Sequence, residues 1–138
     1  MSKCHASVGA PAFNEWFQNS KVTDIGGSPL IVYHGTDIVF KDFASEFIKN
    51  RCINEYGRGF YFTMRSGTAS LYGDNVIAAY LSLKNPKFIT PADFGDNGWH
   101  GAHDGVIVSL ADAADIYDPS NWLEIVVAKS EQIHIIAA

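Results

Sequence analysis

Residues 57–72, GRGFYFTMRSGTASLY, constrain the fold more tightly than any other stretch of the chain. Gly57 and Gly59 flank Arg58 and open a short run of aromatic and β-branched residues, Phe60 to Thr63, which reads as a strand. Strand side chains alternate between faces, so Phe60 and Phe62 are expected to enter a core while Tyr61 and Thr63 look into a cleft. Ser66 and Gly67 then lead into a short helix-like segment ending at Tyr72 and Gly73. Folded back, Tyr72 would face Tyr61, and two tyrosines held that way form a slot for a flat aromatic ring.

The flanking sequence supplies short elements of both kinds. In Ala12 to Asn19, Phe13, Trp16 and Phe17 recur at helical spacing and predict a short helix lying on a core. Asp24 to Ser28 reads as a turn, and Leu30 to His34 as a largely buried strand stopped by Gly35 and Thr36. Phe40 and Phe43 anchor the next segment, Ala44 to Asn50 reads as a short helix, and Asn54 to Gly59 as a loop. Val76 to Leu83 fits either period, and the Asn85-Pro86 stop favours a helix that ends early with a strand from Tyr80 onward. Thr90 to His103, rich in Gly, Asp and Asn, predicts a long mobile loop over a site with Trp99 exposed. Gly105 to Leu110, Leu123 to Ala128 and Gln132 to Ile136 read as further strands, the last two around a turn at Lys129 to Glu131. Many short strands with few helices predict an α+β domain with mixed or antiparallel sheets.

At 138 residues the chain fits one domain, with residues 1–10 a loose arm. A net charge of −5 with scattered Lys and Arg offers no basic field for nucleic-acid phosphates. Cys4 and Cys52 have neither metal spacing nor partners for a disulfide framework, which points to free thiols in a reducing compartment. With no apolar leader and no run long enough to span a bilayer, a cytoplasmic monomer is expected.

Three polar residues interrupt or end apolar strands. His34 closes LIVYH, Tyr61 lies within FYFT, and Glu124 opens LEIVVA, where a carboxylate beside Ile125 and Val126 is desolvated unless it faces a cleft or a partner. Each alone has a plainer reading as a structural histidine, a packing tyrosine or a solvated glutamate. His100, His103 and Asp104 suggest a metal or a hydrolase, but two histidines on a glycine-rich loop do not make a three-ligand site, and no G-x-S-x-G elbow is present. His5 and His134 have no partner visible in sequence.

Taken in order, Tyr33 to Thr36 (YHGT), Gly57 to Thr63, Ala69 to Tyr72 and Leu123 to Val127 followed by Gln132-Ile133 resemble the H-Y-E class of ADP-ribosyltransferases, the class of diphtheria toxin and the poly(ADP-ribose) polymerases. Trp16-Phe17, Ser20 to Val22, Pro29 to Thr36, Tyr80 to Pro86 and Asp104 to Val108 are similar to phrases of small bacteriophage and bacterial domains of this type. The likeness spans about residues 12–136.

That resemblance implies an ADP-ribosyltransferase-like fold in which two small sheets form a cleft for NAD, the substrate. It implies that His34 holds a ribose hydroxyl, the Gly35 backbone pairs with the nicotinamide carboxamide, Thr36 lies near the adenosine ribose, and Arg58 meets the diphosphate. Tyr61 and Tyr72 correspond to the tyrosines that sandwich nicotinamide, and Glu124 to the catalytic glutamate. The partner implied is a macromolecular acceptor, first a host protein, with a nucleic-acid acceptor left open, as for a toxin, effector or counter-defence protein. A catalytically silent binding or phage structural protein, and an NAD glycohydrolase, are the alternatives. Two positions depart from the pattern: Ala69 stands where the polymerases carry a serine, with Ser66, Thr68 and Ser70 nearby, and Trp122 stands where arginine-modifying enzymes carry a second acid or amide. The acceptor is then not expected to be selected through that position.

Overall fold

A computed structural model of the chain describes residues 10–36, 59–93 and 98–137. The N-terminal arm, Cys4, His5, Cys52, Arg58, the helix expected at Ala44 to Asn50 and most of the loop before Gly59 lie outside the described residues. The first helix, α1 (Pro11–Phe17), begins on a proline that needs no hydrogen-bond partner for its nitrogen. Strands β1 (Val32–Thr36) and β2 (Phe60–Phe62) follow, then a one-turn helix, α2 (Ser66–Ala69), continued by a 3-10 turn through Tyr72. Strands β3 (Asn75–Leu81), β4 (Lys87–Ile89), β5 (Gly105–Ser109), β6 (Trp122–Val127) and β7 (Ile133–Ala137) complete the α+β chain.

These strands form two sheets, one of order β1-β3-β7 and one of order β2-β6-β5-β4, in which only β4 and β5 run parallel. The main core lies between them. Val32, Ile77, Ala79, Leu81 and Ile133 of the first sheet meet Phe60, Phe62, Ile107, Ile125 and Val127 of the second. The alternation expected in FYFT therefore holds, since Phe60 and Phe62 share this core and Tyr61 does not. Gly59 has its own reason to lack a side chain, because a Cβ there would sit 2.5 Å from the Val127 carbonyl oxygen of the neighbouring strand.

Two strand boundaries differ from the sequence reading. β1 does not stop at His34 but runs through Gly35 and Thr36, which pair with Val76 and Asn75. The segment around Ile77 is strand from Asn75, with no helix before Tyr80, and Ile77, Ala79 and Leu81 are buried at a period of two. Short apolar runs carry little helix-versus-strand information, and here the partners on both sides, β1 and β7, decide. β6 and β7 also part company, entering different sheets.

α1 covers the far side of the first sheet. Phe13 and Trp16 enclose His134, with ring centroids at 5.1 and 5.7 Å, and Tyr80 lies 6.1 Å from the same imidazole. The Trp16 indole donates to the Glu131 carbonyl at 2.7 Å, tying the helix to the turn before β7. His134, on β7, thus packs against α1.

The phrases Tyr80 to Pro86 and Asp104 to Val108 meet in one polar latch. The Asp104 carboxylate accepts from the Lys84 amide at 2.7 Å and the Asn85 amide at 3.0 Å, and the Gln132 amide donates to the Asp104 carbonyl at 2.8 Å. Charge-assisted bonds to backbone amides are among the stronger ones. Asp104→Ala is expected to lower stability by about 2 kcal/mol, and Asp104→Asn by less, read as a shift in the denaturation midpoint. A neutral Asp104→Ala would contradict this assignment.

Candidate active site

β1 and β2 meet at Thr63. Its amide donates to the Tyr33 carbonyl at 2.8 Å, and the Tyr33 amide donates to the Thr63 carbonyl at 2.9 Å, so the edges of the two sheets touch there. β2 in turn pairs with β6, Phe62 opposite Ile125, and one further step of that register brings Thr63 level with Glu124. His34 adjoins one side of this junction and Glu124 the other, while Tyr61 lies two residues earlier on the strand between them. The Thr63 hydroxyl donates to the Arg65 carbonyl at 3.1 Å and turns the chain into α2.

His34 is buried at 6% exposure, which an imidazole tolerates when its nitrogens are engaged. Its Nδ1 lies 2.7 Å from the Tyr61 carbonyl oxygen, and its ring packs against Phe62 at 5.5 Å. A carbonyl only accepts, so Nδ1 carries the proton, and in the neutral ring Nε2 is the acceptor. The histidine is thereby oriented by the backbone of the residue expected to act with it.

Glu124 is partly exposed and stands across from Val108 on β5. The register slips here, for Val108 pairs with Glu124 but Ser109 with Trp122, leaving Leu123 as an extra residue. Strict alternation would put Trp122 on the same face as Glu124. The bulge instead turns Trp122 into the main core beside Ile125 and Val127, where its indole donates to the Ile116 carbonyl at 2.8 Å. Trp122 is therefore spent on packing.

The two tyrosines differ sharply. Tyr72 is 49% exposed, whereas Tyr61 is 8% exposed and shares a second small core with Ile89, Trp99, Val106, Val108 and Val126. Trp99, expected to be exposed, is 1% exposed, and His100 stacks on it at 3.8 Å. The indole of a segment with loop composition covers the face of β2 that sequence reading left open. Its neighbours are glycine and polar residues, so nothing local signals that this tryptophan is a plug.

Gly35 carries the tightest contact. A Cβ there would run into the Ala69 carbonyl oxygen and lie 2.7 Å from the carbonyl carbon, so only glycine lets α2 settle on β1. Ala69 is itself fully buried. Of the nearby hydroxyls, Ser66 and Thr68 are on exposed residues, and Ser70 donates to the Gly67 carbonyl at 2.7 Å. Thr36 ends β1 opposite Asn75 and is partly exposed.

Residues 24–98, more than half of the chain, match the family described as ADP-ribosyltransferase in polyvalent proteins. The chain belongs to that ADP-ribosyltransferase family. Its α+β structure, with two small sheets and few short helices, is the ADP-ribosyltransferase-like fold. The matched segment contains His34, Gly35, Thr36, Tyr61 and Tyr72 and ends before Glu124. No match to a curated protein was found. ADP-ribosyltransferases of this family in general take NAD as substrate and a macromolecule as acceptor. Among the described residues no three His, Cys, Asp or Glu side chains are grouped to hold a metal ion, and no helix is long and apolar enough to cross a membrane.

Proposed function

We propose that the protein is a mono-ADP-ribosyltransferase that cleaves NAD at the nicotinamide–ribose bond and transfers ADP-ribose to a host protein in the cytoplasm of the producing or host cell. The observation that carries this reading is the convergence at Thr63, where β1, β2 and β6 bring His34, Tyr61 and Glu124 to one junction between the sheets. In the proposed reaction the bond between ribose C1′ and the pyridinium nitrogen breaks, and its electron pair neutralises that nitrogen. Nicotinamide leaves uncharged, so no general acid is required. The ribose acquires oxocarbenium character, which the Glu124 carboxylate stabilises through the 2′-hydroxyl. An acceptor atom then donates its electron pair to C1′ and releases its proton to solvent.

The other residues bind and orient. The His34 tautomer set by the Tyr61 carbonyl presents Nε2 as an acceptor for a ribose hydroxyl. The Gly35 backbone serves the carboxamide, Tyr72 flanks the nicotinamide ring together with Tyr61 once Trp99 moves off the face of β2, and Thr36 and Arg58 serve the adenosine ribose and the diphosphate. The test incubates the protein with labelled NAD and host lysate beside Glu124→Ala. Label on a discrete macromolecule that is lost in the variant supports transfer. Nicotinamide release without labelled macromolecule indicates hydrolysis, and neither product refutes both enzymatic readings in favour of a silent binding protein.

A further inference from the structure

The one-turn helix α2 and the 3-10 turn after it carry two parts of the proposed nicotinamide site. Ala69 lays its carbonyl against Gly35, and Tyr72 closes the turn three residues later. A helix of four residues does not hold its own position, because a single turn of hydrogen bonds does not repay the entropy of forming it. No side chain caps its start. Arg65 stands at the N-cap in an extended conformation and its side chain makes no bond to the first amides. What seats α2 therefore lies outside it.

Thr63 is placed to do this. It is buried at the point where β1 and β2 meet, with its amide and its carbonyl both bonded to Tyr33. That backbone pair leaves the hydroxyl for a second task, and Thr63 Oγ1 donates to the Arg65 carbonyl at 3.1 Å. The same carbonyl accepts from the Ala69 amide, also at 3.1 Å. Thr63 thus grips the carbonyl that opens α2, and the amide sharing that carbonyl belongs to the residue seated on Gly35. The Ser70 hydroxyl, donating to the Gly67 carbonyl at 2.7 Å, fastens the next step towards Tyr72. We infer that Thr63 is a positioning residue for the nicotinamide half of NAD: its hydroxyl fixes α2 on β1, and through α2 the Tyr72 ring and the clearance at the Gly35 backbone. His34 and Thr36 stand on β1, whose pairing with β3 and with the Thr63 backbone does not involve that hydroxyl. The contacts proposed for the ribose hydroxyls are therefore independent of it. This inference rests on the NAD reading above and deepens it by separating the two halves of the substrate.

The test compares Thr63→Val, which keeps the shape and the backbone pair without the hydroxyl, with Thr63→Ser, which keeps the hydroxyl. Valine leaves no orphaned acceptor, because the Arg65 carbonyl retains the Ala69 amide. Nicotinamide and ADP-ribose are titrated separately into each protein by calorimetry, with thermal unfolding measured alongside. Thr63→Val is expected to bind nicotinamide about three- to tenfold more weakly than the wild type, the range that one hydrogen bond spans, and to bind ADP-ribose within about twofold. Thr63→Ser is expected to match the wild type with both ligands. A role confined to folding would lower the unfolding midpoint of Thr63→Val and weaken both ligands alike, and that result would overturn the inference. So would a Thr63→Ser protein as impaired towards nicotinamide as Thr63→Val. If the wild type binds both ligands and Thr63→Val binds them equally well, the inference alone fails. If the wild type binds neither, the NAD reading itself fails and the inference falls with it.

Discussion

Glu124→Gln is expected to lower NAD cleavage on the order of a hundredfold or more, with Glu124→Ala at least as damaging. Glutamine preserves the size and one acceptor oxygen but not the negative charge proposed to meet the developing oxocarbenium ion. If, as proposed, that charge acts in the transition state and not in holding NAD, the loss should fall on kcat and leave KM within a few-fold. Glu124 is partly exposed at the start of β6 and outside both buried clusters, so the fold should tolerate the change. Nicotinamide release under saturating NAD, alongside thermal unfolding, is the measurement. A Glu124→Gln protein that retains a tenth or more of the rate would remove Glu124 from the reaction.

Gly35→Ala is expected to be the most destabilising single substitution in the described part of the site. The added methyl collides with backbone, the Ala69 carbonyl, which no rotamer change can relieve. The cost should reach about 3 kcal/mol, the upper end of ordinary overpacking. For a domain of this size that corresponds to roughly 10 °C in the unfolding midpoint. Trimming the neighbour with Ala69→Gly should not rescue it, because the obstruction is the carbonyl and not the Ala69 methyl. Gly67→Ala is the control, as nothing lies within 4 Å of a Cβ there and α2 would gain a better helix former. Comparable losses at both glycines would mean that the close approach of α2 to β1 is not what requires Gly35.

The two halves of the site differed in how far they were legible from residues. Phe60 and Phe62 could be assigned to the core because a strand has only two faces and aromatic residues occupied alternate positions. The helix of Phe13 and Trp16 was readable from its spacing, and the turn at Asp24 from its composition, confirmed by the Asp24 carboxylate accepting from the Gly26 and Ser28 amides at 2.9 and 3.0 Å. The ordered set of His34, Tyr61, Tyr72 and Glu124 pointed to the ADP-ribosyltransferases, and the family match over residues 24–98 agrees. The placement of Trp99 was not readable. A tryptophan among glycine and polar residues carries no periodic signal, and its burial arises from a surface created only when β2, β5 and β6 pair.

By itself, the sequence determined the local alternatives: which residues could form a strand, where turns fall, and which side chains carry chemistry. Those properties follow from backbone sterics and side-chain type, which act over a few residues. Only the tertiary structure decided that Gly35 continues β1 beneath the Ala69 carbonyl, that a bulge at Leu123 sends Trp122 inward, and that Asp104 latches Lys84 and Asn85. It also decided that Tyr61, half of the slot expected in residues 57–72, lies in a small core with Trp99 while Tyr72 stays exposed. Each of these depends on residues far apart in the chain competing for the same space, and no local pattern records the outcome of that competition.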